Sequence, residues 1–443
     1  MAEVLLSVGL DVGTSTTQMV VSRLTIKNKA SSFAVPEMEI AEREVIYKSP
    51  IHFTPLLGET LVDGEKIRDL VEQEYQSAGI ERQQVDTGAI IITGETSRKE
   101  NARAVLDAMS AFAGDFVVAT AGPHLESVLA AKGAGTDRFS EETGKTVLHI
   151  DIGGGTSNLA LIRNGSVEAT GCMNIGGRLL KFDKNGRVRY CSPVLAKLKG
   201  FDIGQQPSSQ QVDELCATMA EALEMAAGLR PANGLLDSFW TQEAGNPWLP
   251  PGDVAVVSFS GGVAECIKTD FPPLAFGDIG PALGRAIRQS RLCEKAYRVG
   301  EDAIRATVIG AGCHSAQLSG STVFHRGVAF PMKNLPVVTQ YSQLSGLDSP
   351  GVLALPGFSA AHYHQISALA DDISKNWPQQ PVLLALEADM AKALGHALAL
   401  RLPPEQGILC VDRIRLSQDS YLDVGQPISG ALPVVVKTLI LNR

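Results

Sequence analysis

Leu10-Asp11-Val12-Gly13-Thr14-Ser15-Thr16-Thr17-Gln18 and Ile150-Asp151-Ile152-Gly153-Gly154-Gly155-Thr156-Ser157-Asn158 align without a gap. Each copy is an apolar run ending in Asp-x-Gly, then a small-residue turn with adjacent hydroxyls, then a second apolar run. The run after the turn (Met19-Val20-Val21; Leu159-Ala160-Leu161-Ile162) reads as a returning strand, so each copy is predicted to be a β-hairpin and not a strand-to-helix unit. Glycines and hydroxyls in such a turn let backbone N–H groups approach an anion closely. An Asp at the strand end suits hydrated Mg²⁺, which takes few carboxylates and keeps several waters. Two such hairpins facing one another predict a phosphate clamp: Gly13, Thr14, Ser15, Thr16 and Thr17 on one side, Gly153, Gly154, Gly155, Thr156 and Ser157 on the other, with Asp11 and Asp151 towards the metal.

The rest of the chain is consistent with a nucleotide site and excludes other classes. At 443 residues it is long enough for two or more domains. A net charge of −9 with no basic run argues against nucleic acid or an anionic membrane as partner. Apolar stretches are far shorter than the roughly 20 residues of a membrane span, and the first residues lack the basic region of a signal peptide. Seven cysteines, odd in number and without Cys-x-x-Cys, suggest reduced thiols and a cytoplasmic protein. Neither a P-loop nor a dinucleotide fingerprint is present. His362-x-His364 lacks a third ligand nearby and reads as a polar loop, and Glu387 and Asp389 read as a helix start.

Further periodicities give a strand over Ala89–Thr93 ending at Gly94-Glu95, helices over Gly64–Ala78, Arg98–Ala113, Leu125–Lys132 and Gln211–Ala227, and a strand Val254–Val257 entering Ser258-Phe259-Ser260-Gly261-Gly262. A helix over Gly300–Ile309 is expected to stop at Gly310-Ala311-Gly312.

Asp-x-Gly-Thr near the start, Asp-x-Gly-Gly-Gly-Thr in the middle and a later strand-borne Ser-Gly-Gly resemble, in that order, the actin, heat-shock-70 and sugar-kinase superfamily. The resemblance implies an α/β, two-lobed actin-like ATPase of duplicated ribonuclease-H-like domains, with inserted subdomains and a C-terminal extension. The expected lobes are residues 1–143 (insertion about 27–85) and 144–330 (insertion about 187–252), with 331–443 completing or packed on the second. ATP and Mg²⁺ would lie in the cleft. Asp11, Asp151 and Thr156 would act in catalysis, Ser260, Gly261 and Gly262 would approach the adenosine, and Gly310 would belong to the helix crossing at the hinge, opposite Gly133-Ala134-Gly135.

A closer resemblance, to the ethanolamine ammonia-lyase reactivating factors (the EutA family), rests on Leu6–Thr14, Ile90–Glu95, Gly114–Ala119, Ala121–Val128, Asn174–Leu180, Arg305–Gly312 and Gly320-Ser321-Thr322. It implies an ATP- and Mg²⁺-dependent factor that frees damaged cobalamin from ethanolamine ammonia-lyase. The corrinoid would belong to the lyase, in keeping with the absence of Asp-x-His-x-x-Gly here. Location would be cytoplasmic, with or without the ethanolamine-utilisation microcompartment, and a homodimer stays open. In the heat-shock branch a Glu precedes the Pro of the first hinge segment; here Ala121-Gly122 precedes Pro123, so the attacking water is left to Glu95, to Glu126 or to neither, the last implying slow hydrolysis or a switch driven by nucleotide binding. The alternatives are a small-molecule kinase of the sugar-kinase branch, for which no isolated Asp in a Gly-rich loop stands out as base, and a filament-forming protein.

Overall fold

The computed structural model describes the chain except for residues 1–2, 14–15, 29–37, 58–60, 94–116, 121, 199, 242–247, 249, 301, 315–316, 319–322, 348, 359–361, 379–380, 415–419, 426–431 and 439–443. Thr14, Ser15, Glu95 and the helix expected over Arg98–Ala113 therefore lie outside the described residues.

The first lobe begins with β1 (Glu3–Val12), β2 (Thr16–Asn28) and β3 (Met38–Lys48), an antiparallel meander. Helix α1 (Gly64–Ala78) then crosses to β4 (Thr87–Ile92), which runs parallel to β1, and β5 (Val117–Thr120) extends the sheet parallel to β4. The order is β3-β2-β1-β4-β5. Asp63 caps α1 by accepting from Lys66 N–H. Ile67, Val71 and Tyr75, four apart on one face of α1, pack on Val8, Leu10 and Met19 of the sheet.

After α2 (Pro123–Gly133) and α3 (Thr136–Thr143) the same plan repeats. Strands β6 (Val147–Ile152), β7 (Ser157–Arg163) and β8 (Ser166–Met173) form the meander, and α4 (Ser209–Ala226) packs Leu215, Met219 and Leu223 on Leu148, Ile150 and Leu159. Strands β9 (Val256–Ser260) and β10 (Ala296–Val299) add in parallel beyond β6, giving the order β8-β7-β6-β9-β10. Two sheets with the same order and strand directions are a duplicated ribonuclease-H plan. Helices α5 (Gly262–Lys268), α6 (Gly280–Arg288) and α7 (Ala306–His314) follow the strands of this lobe.

The expected insertions need correction. Residues 27–85 contain β3 and α1, and 187–252 contain α4, which are members of the lobes' own layers. Polar faces obscured this, because β3 lies at a sheet edge with Glu42 and Glu44 outward, paired to Lys27 and Arg23.

Residues from Gln317 onward likewise do not complete the second lobe. They form an eight-stranded sheet whose parallel centre is β13 (Met332–Val338), β14 (Val352–Leu355), β15 (Val382–Leu386) and β16 (Ile408–Val411). Strands β11 (Gln317–Leu318), β12 (Phe324–Arg326), β17 (Ser420–Val424) and β18 (Pro433–Thr438) flank it antiparallel. Helices α8 (Tyr363–Asn376) and α9 (Ala391–Ala399) bury one face, around Ala370, Ile373, Leu394 and Leu398, and the opposite face has its own core around Leu383, Leu409 and Leu422. Strand β18 lies beside β5 of the first lobe.

The two lobes are joined by crossed helices. Helix α2 leaves the first lobe and packs on β6, β7 and β8; α7 leaves the second and packs on β1, β2 and β4. The expected stop at Gly310-Ala311-Gly312 is overturned, since α7 runs through it to His314. The glycines serve close approach instead: a Cβ at Gly310 would fall 1.9 Å from Leu129 O, and one at Gly133 1.7 Å from Ala306 O. Gly310→Ala is therefore expected to destabilise the chain by roughly 2–3 kcal/mol, whereas Gly234→Ala, with nothing within 4 Å of the new Cβ, should be neutral. Equal denaturation midpoints for both variants would contradict this helix contact.

Candidate functional site

The hairpins place their carboxylates equivalently. Asp11 faces Gln18 across β1–β2, and Asp151 faces Asn158 across β6–β7. Both turns close with the same bond, Gly13 N–H to Thr16 O and Gly153 N–H to Thr156 O, each 2.9 Å. Asp11 and Asp151 thus end parallel strands in their respective sheets, the edge where open α/β sheets bind ligands.

Hydroxyls orient the carboxylates. Thr93, just beyond β4, donates to Asp11 Oδ1 at 2.8 Å. Ser260, at the end of β9, donates to Asp151 Oδ1 at 2.5 Å, and Thr307 on α7 also hydrogen-bonds Asp151. Behind Ser260, His149 Nε2 lies 2.9 Å from the hydroxyl, and Nδ1 reaches Ser258 at 3.1 Å and Thr136 at 3.2 Å. Burial and the nearby Arg298 push the His149 pKa down to about 3, so the ring is neutral. With Ser260 Oγ donating to the carboxylate, the acceptor left on Ser260 is met by His149 Nε2–H.

Burial raises both acids. Asp11 is pushed up to about 7 by desolvation, against the Thr93 bond and helped by the charges of Glu126 and Asp151. Asp151 is pushed up to about 6 by desolvation, against its Ser260 and Thr307 bonds. No cation is among the causes of either shift. Glu126, buried in the first turn of α2, accepts from Asn158 Nδ2 at 2.8 Å. Carboxylates from both lobes and the connecting helix therefore converge.

The donor set fits a hydrated Mg²⁺. Its oxygens are hard and anionic, and Gln18 Oε1 and Asn158 Oδ1, each opposite one of the aspartates, are buried without a hydrogen-bond partner. Such acceptors match the donor hydrogens of metal-bound water. Among the described residues no group of three or more His, Cys, Asp or Glu side chains can hold an ion by itself; two carboxylates with water and phosphate would complete the shell.

Several expected ligands have other partners. Thr17 is buried and bonds Thr54 at 3.1 Å, and Thr54 donates to Gly13 O at 2.7 Å. Ser157 is buried and donates to Ile175 O at 2.8 Å. These hydroxyls brace the turns from behind, because strand alternation directs them away from the preceding Thr16 and Thr156. The Ser260 hydroxyl is engaged by Asp151, and Gly310 lies in the helix crossing. Gly261 has φ +85, and a Cβ there would fall 2.3 Å from Ile152 O, so its glycine requirement is backbone packing. A Cβ at Gly155 or Gly262 would meet no atom within 4 Å, so both glycines border open space.

Thr93, Asn158, Gln18 and Arg178 did not figure among the expected site residues. Arg178 donates its backbone N–H to Gly154 O at 2.6 Å and lays its methylenes beside Gly154, with Nε 3.5 Å from Asp278. Gln18 and Asn158 were visible in the repeat as matched amides, a signal that the register makes legible.

Duplicated ribonuclease-H sheets, crossed connecting helices and an acid-tipped hairpin from each lobe define the class of the actin-like ATPases. Within it, the chain belongs to the family described as "Ethanolamine utilisation protein EutA", whose model matches residues 3–348 and 340–442. It is 39% identical to "Ethanolamine ammonia-lyase reactivase EutA" of Salmonella typhimurium strain LT2, over 98% of each chain. Its identity to the protein of the same description in Escherichia coli strain K12 is 38%, again over 98% of each. Among solved structures, a Ppx/GppA family member of Aquifex aeolicus is similar with a TM-score of 0.43 at 11% identity, covering 70% of this chain and 97% of that one. Among the described residues, no helix is long and apolar enough to cross a membrane.

Proposed function

We propose that the chain is an ATP- and Mg²⁺-dependent reactivating factor that frees damaged or inactive cobalamin from ethanolamine ammonia-lyase so that intact adenosylcobalamin can bind. The observation that carries this reading is the near full-length match, at 39% identity, to a relative described as an ethanolamine ammonia-lyase reactivase. The convergent carboxylates supply the physical basis. Asp11 and Asp151 would hold the hydrated metal, whose charge offsets that of the phosphates. Backbone N–H groups of the Gly13 and Gly153–Gly155 turns would bind phosphate oxygens from opposite lobes, and Thr16, Thr156 and Arg178 stand beside those turns. Gly262, at the start of α5, leaves room for the nucleoside.

Glu126 is the residue we assign to orient the attacking water. It sits where its charge raises the Asp11 pKa, and Asn158 fixes one of its oxygens. Because the phosphate turns belong to different lobes, a bound nucleotide favours one lobe angle, and the crossed helices α2 and α7 carry that angle to the outer surfaces. Reactivation is then a population shift: this chain must bind the cofactor-releasing state of the lyase better than its closed state. The site of action would be the cytoplasm or its ethanolamine-utilisation microcompartment.

The test adds the purified chain to cyanocobalamin-inhibited ethanolamine ammonia-lyase with Mg-ATP and adenosylcobalamin. Lyase activity is expected to return only when chain and nucleotide are both present. Failure to recover activity, or equal recovery without nucleotide, would reject the reading.

A further inference from the structure

A second candidate site lies at the opposite end of α2. Glu126 is in the first turn of that helix, and its last residue, Gly133, borders a cavity of about 250 Å³. Seven residues of helix, rising about 1.5 Å each, separate Glu126 from Gly133 by roughly 10 Å. The cavity is bounded by the first lobe through Ser22 and Arg43, by the α2–α3 junction through Lys132 and Arg138, and by the second lobe through Asp302 and Ile309.

Its charge is unbalanced. Arg43 Nε is buried and has no hydrogen-bond partner. Arg43 and Arg138 make no side-chain ion pair among the described residues. The alternation of β3 turns the neighbouring Glu42 and Glu44 to the other face, where Lys27 and Arg23 take them. Lys132 lies in the last turn of α2, where a cation complements the carbonyl end of the helix. Asp302 is the one carboxylate in the lining among the described residues, and Lys48 Nζ holds both its oxygens at 2.7 Å. Two guanidinium groups thus line the cavity without an ion-pair partner among the described residues.

We propose that this cavity binds a compact, multiply charged phosphate anion of the inorganic pyrophosphate class, held by Arg43 and Arg138. Guanidinium forks match phosphate oxygens two at a time, and a diphosphate presents enough oxygens for both. The volume of about 250 Å³ admits an anion of that size. Since the walls come from both lobes and from the helices joining them, the occupant stabilises the lobe angle at which the two arginines converge. The binding claim stands apart from the nucleotide reading of the carboxylate cleft.

The full chain, in metal-free buffer, is titrated calorimetrically with inorganic pyrophosphate. One site per chain is expected. Arg43→Gln and Arg138→Gln should each weaken it about tenfold or more, Arg138→Lys should restore only part of the loss because the charge returns without the fork, and Asp302→Asn should tighten it by removing the opposing charge. Asp151→Asn, which alters the other site, should leave pyrophosphate affinity unchanged. Absence of binding, equal affinity in wild type and both glutamine variants, or a changed affinity in Asp151→Asn would overturn the proposal. Unaltered unfolding midpoints in the glutamine variants separate loss of binding from loss of fold.

Discussion

Asp11→Asn and Asp151→Asn are each expected to reduce Mg²⁺-dependent nucleotide affinity by roughly 100-fold or more, since a metal clamp on phosphate is worth several kcal/mol. Asparagine keeps the shape and still accepts from Thr93, or from Ser260 and Thr307, so the turn should persist. The same variants predict a stability change of opposite sign. In the metal-free protein the folded state retains protons on Asp151 up to about pH 6 and on Asp11 up to about pH 7, whereas the unfolded chain releases them near pH 4. The folded state therefore binds more protons across that window, and its stability falls as pH rises from about 4 to about 7. Partial exposure of Asp11 tempers its share. Each asparagine variant should lose part of this slope and be at least as stable as wild type at pH 7.5. Unchanged Mg²⁺-dependent affinity in both variants would remove the metal assignment, and unchanged pH slopes would remove the electrostatic account.

Glu126→Gln should separate binding from hydrolysis. Loss of a positioned proton acceptor lowers such rates by about 10²- to 10⁴-fold, while the turns and aspartates that hold the nucleotide remain. Glutamine can keep the Asn158 contact by presenting its amide oxygen, so the first turn of α2 should not rearrange. Nucleotide affinity is expected to stay within a few-fold of wild type, and single-turnover hydrolysis to fall at least 100-fold. Glu95→Gln serves as comparison and should hydrolyse normally. A Glu126→Gln chain hydrolysing at the wild-type rate would displace Glu126 from this role.

Much of this site was readable because its signals are local. The hairpin is encoded by apolar run, Asp-x-Gly, small turn and apolar run within nine residues, and two copies in register imply two equivalent lobes. The helices over Gly64–Ala78 and Gln211–Ala227 followed from four-residue spacing of apolar side chains, and both are close to the observed spans. What failed was whatever depends on the direction a side chain takes after folding. Thr17 and Ser157 carry the right chemistry but face inward, and the Ser260 hydroxyl is engaged by Asp151. Gly310 looked like a helix stop because glycine stops helices; here it sits within α7, where only a missing side chain permits contact with Leu129.

The C-terminal region shows the same division. Its strand at Val382–Leu386 coincides with a local apolar run, and its helix at Ala391–Ala399 lies within the Ala/Leu-rich stretch Met390–Leu400. Their membership of a separate eight-stranded sheet was not visible, because pairing partners such as β13 and β17 are far apart in sequence and no local pattern specifies them.

The order of residues alone thus settled that two equivalent hairpins exist and which acids tip them, since strand period, turn chemistry and carboxylate identity are written within short windows. Only the tertiary structure decided that Glu126 joins those acids, that Gln18 and Asn158 leave buried acceptors beside them, and that Arg43 and Arg138 share a cavity at the far end of the same helix. Those groupings arise from crossing helices and from burial, which shift charge and choose neighbours across distances that no window of sequence spans.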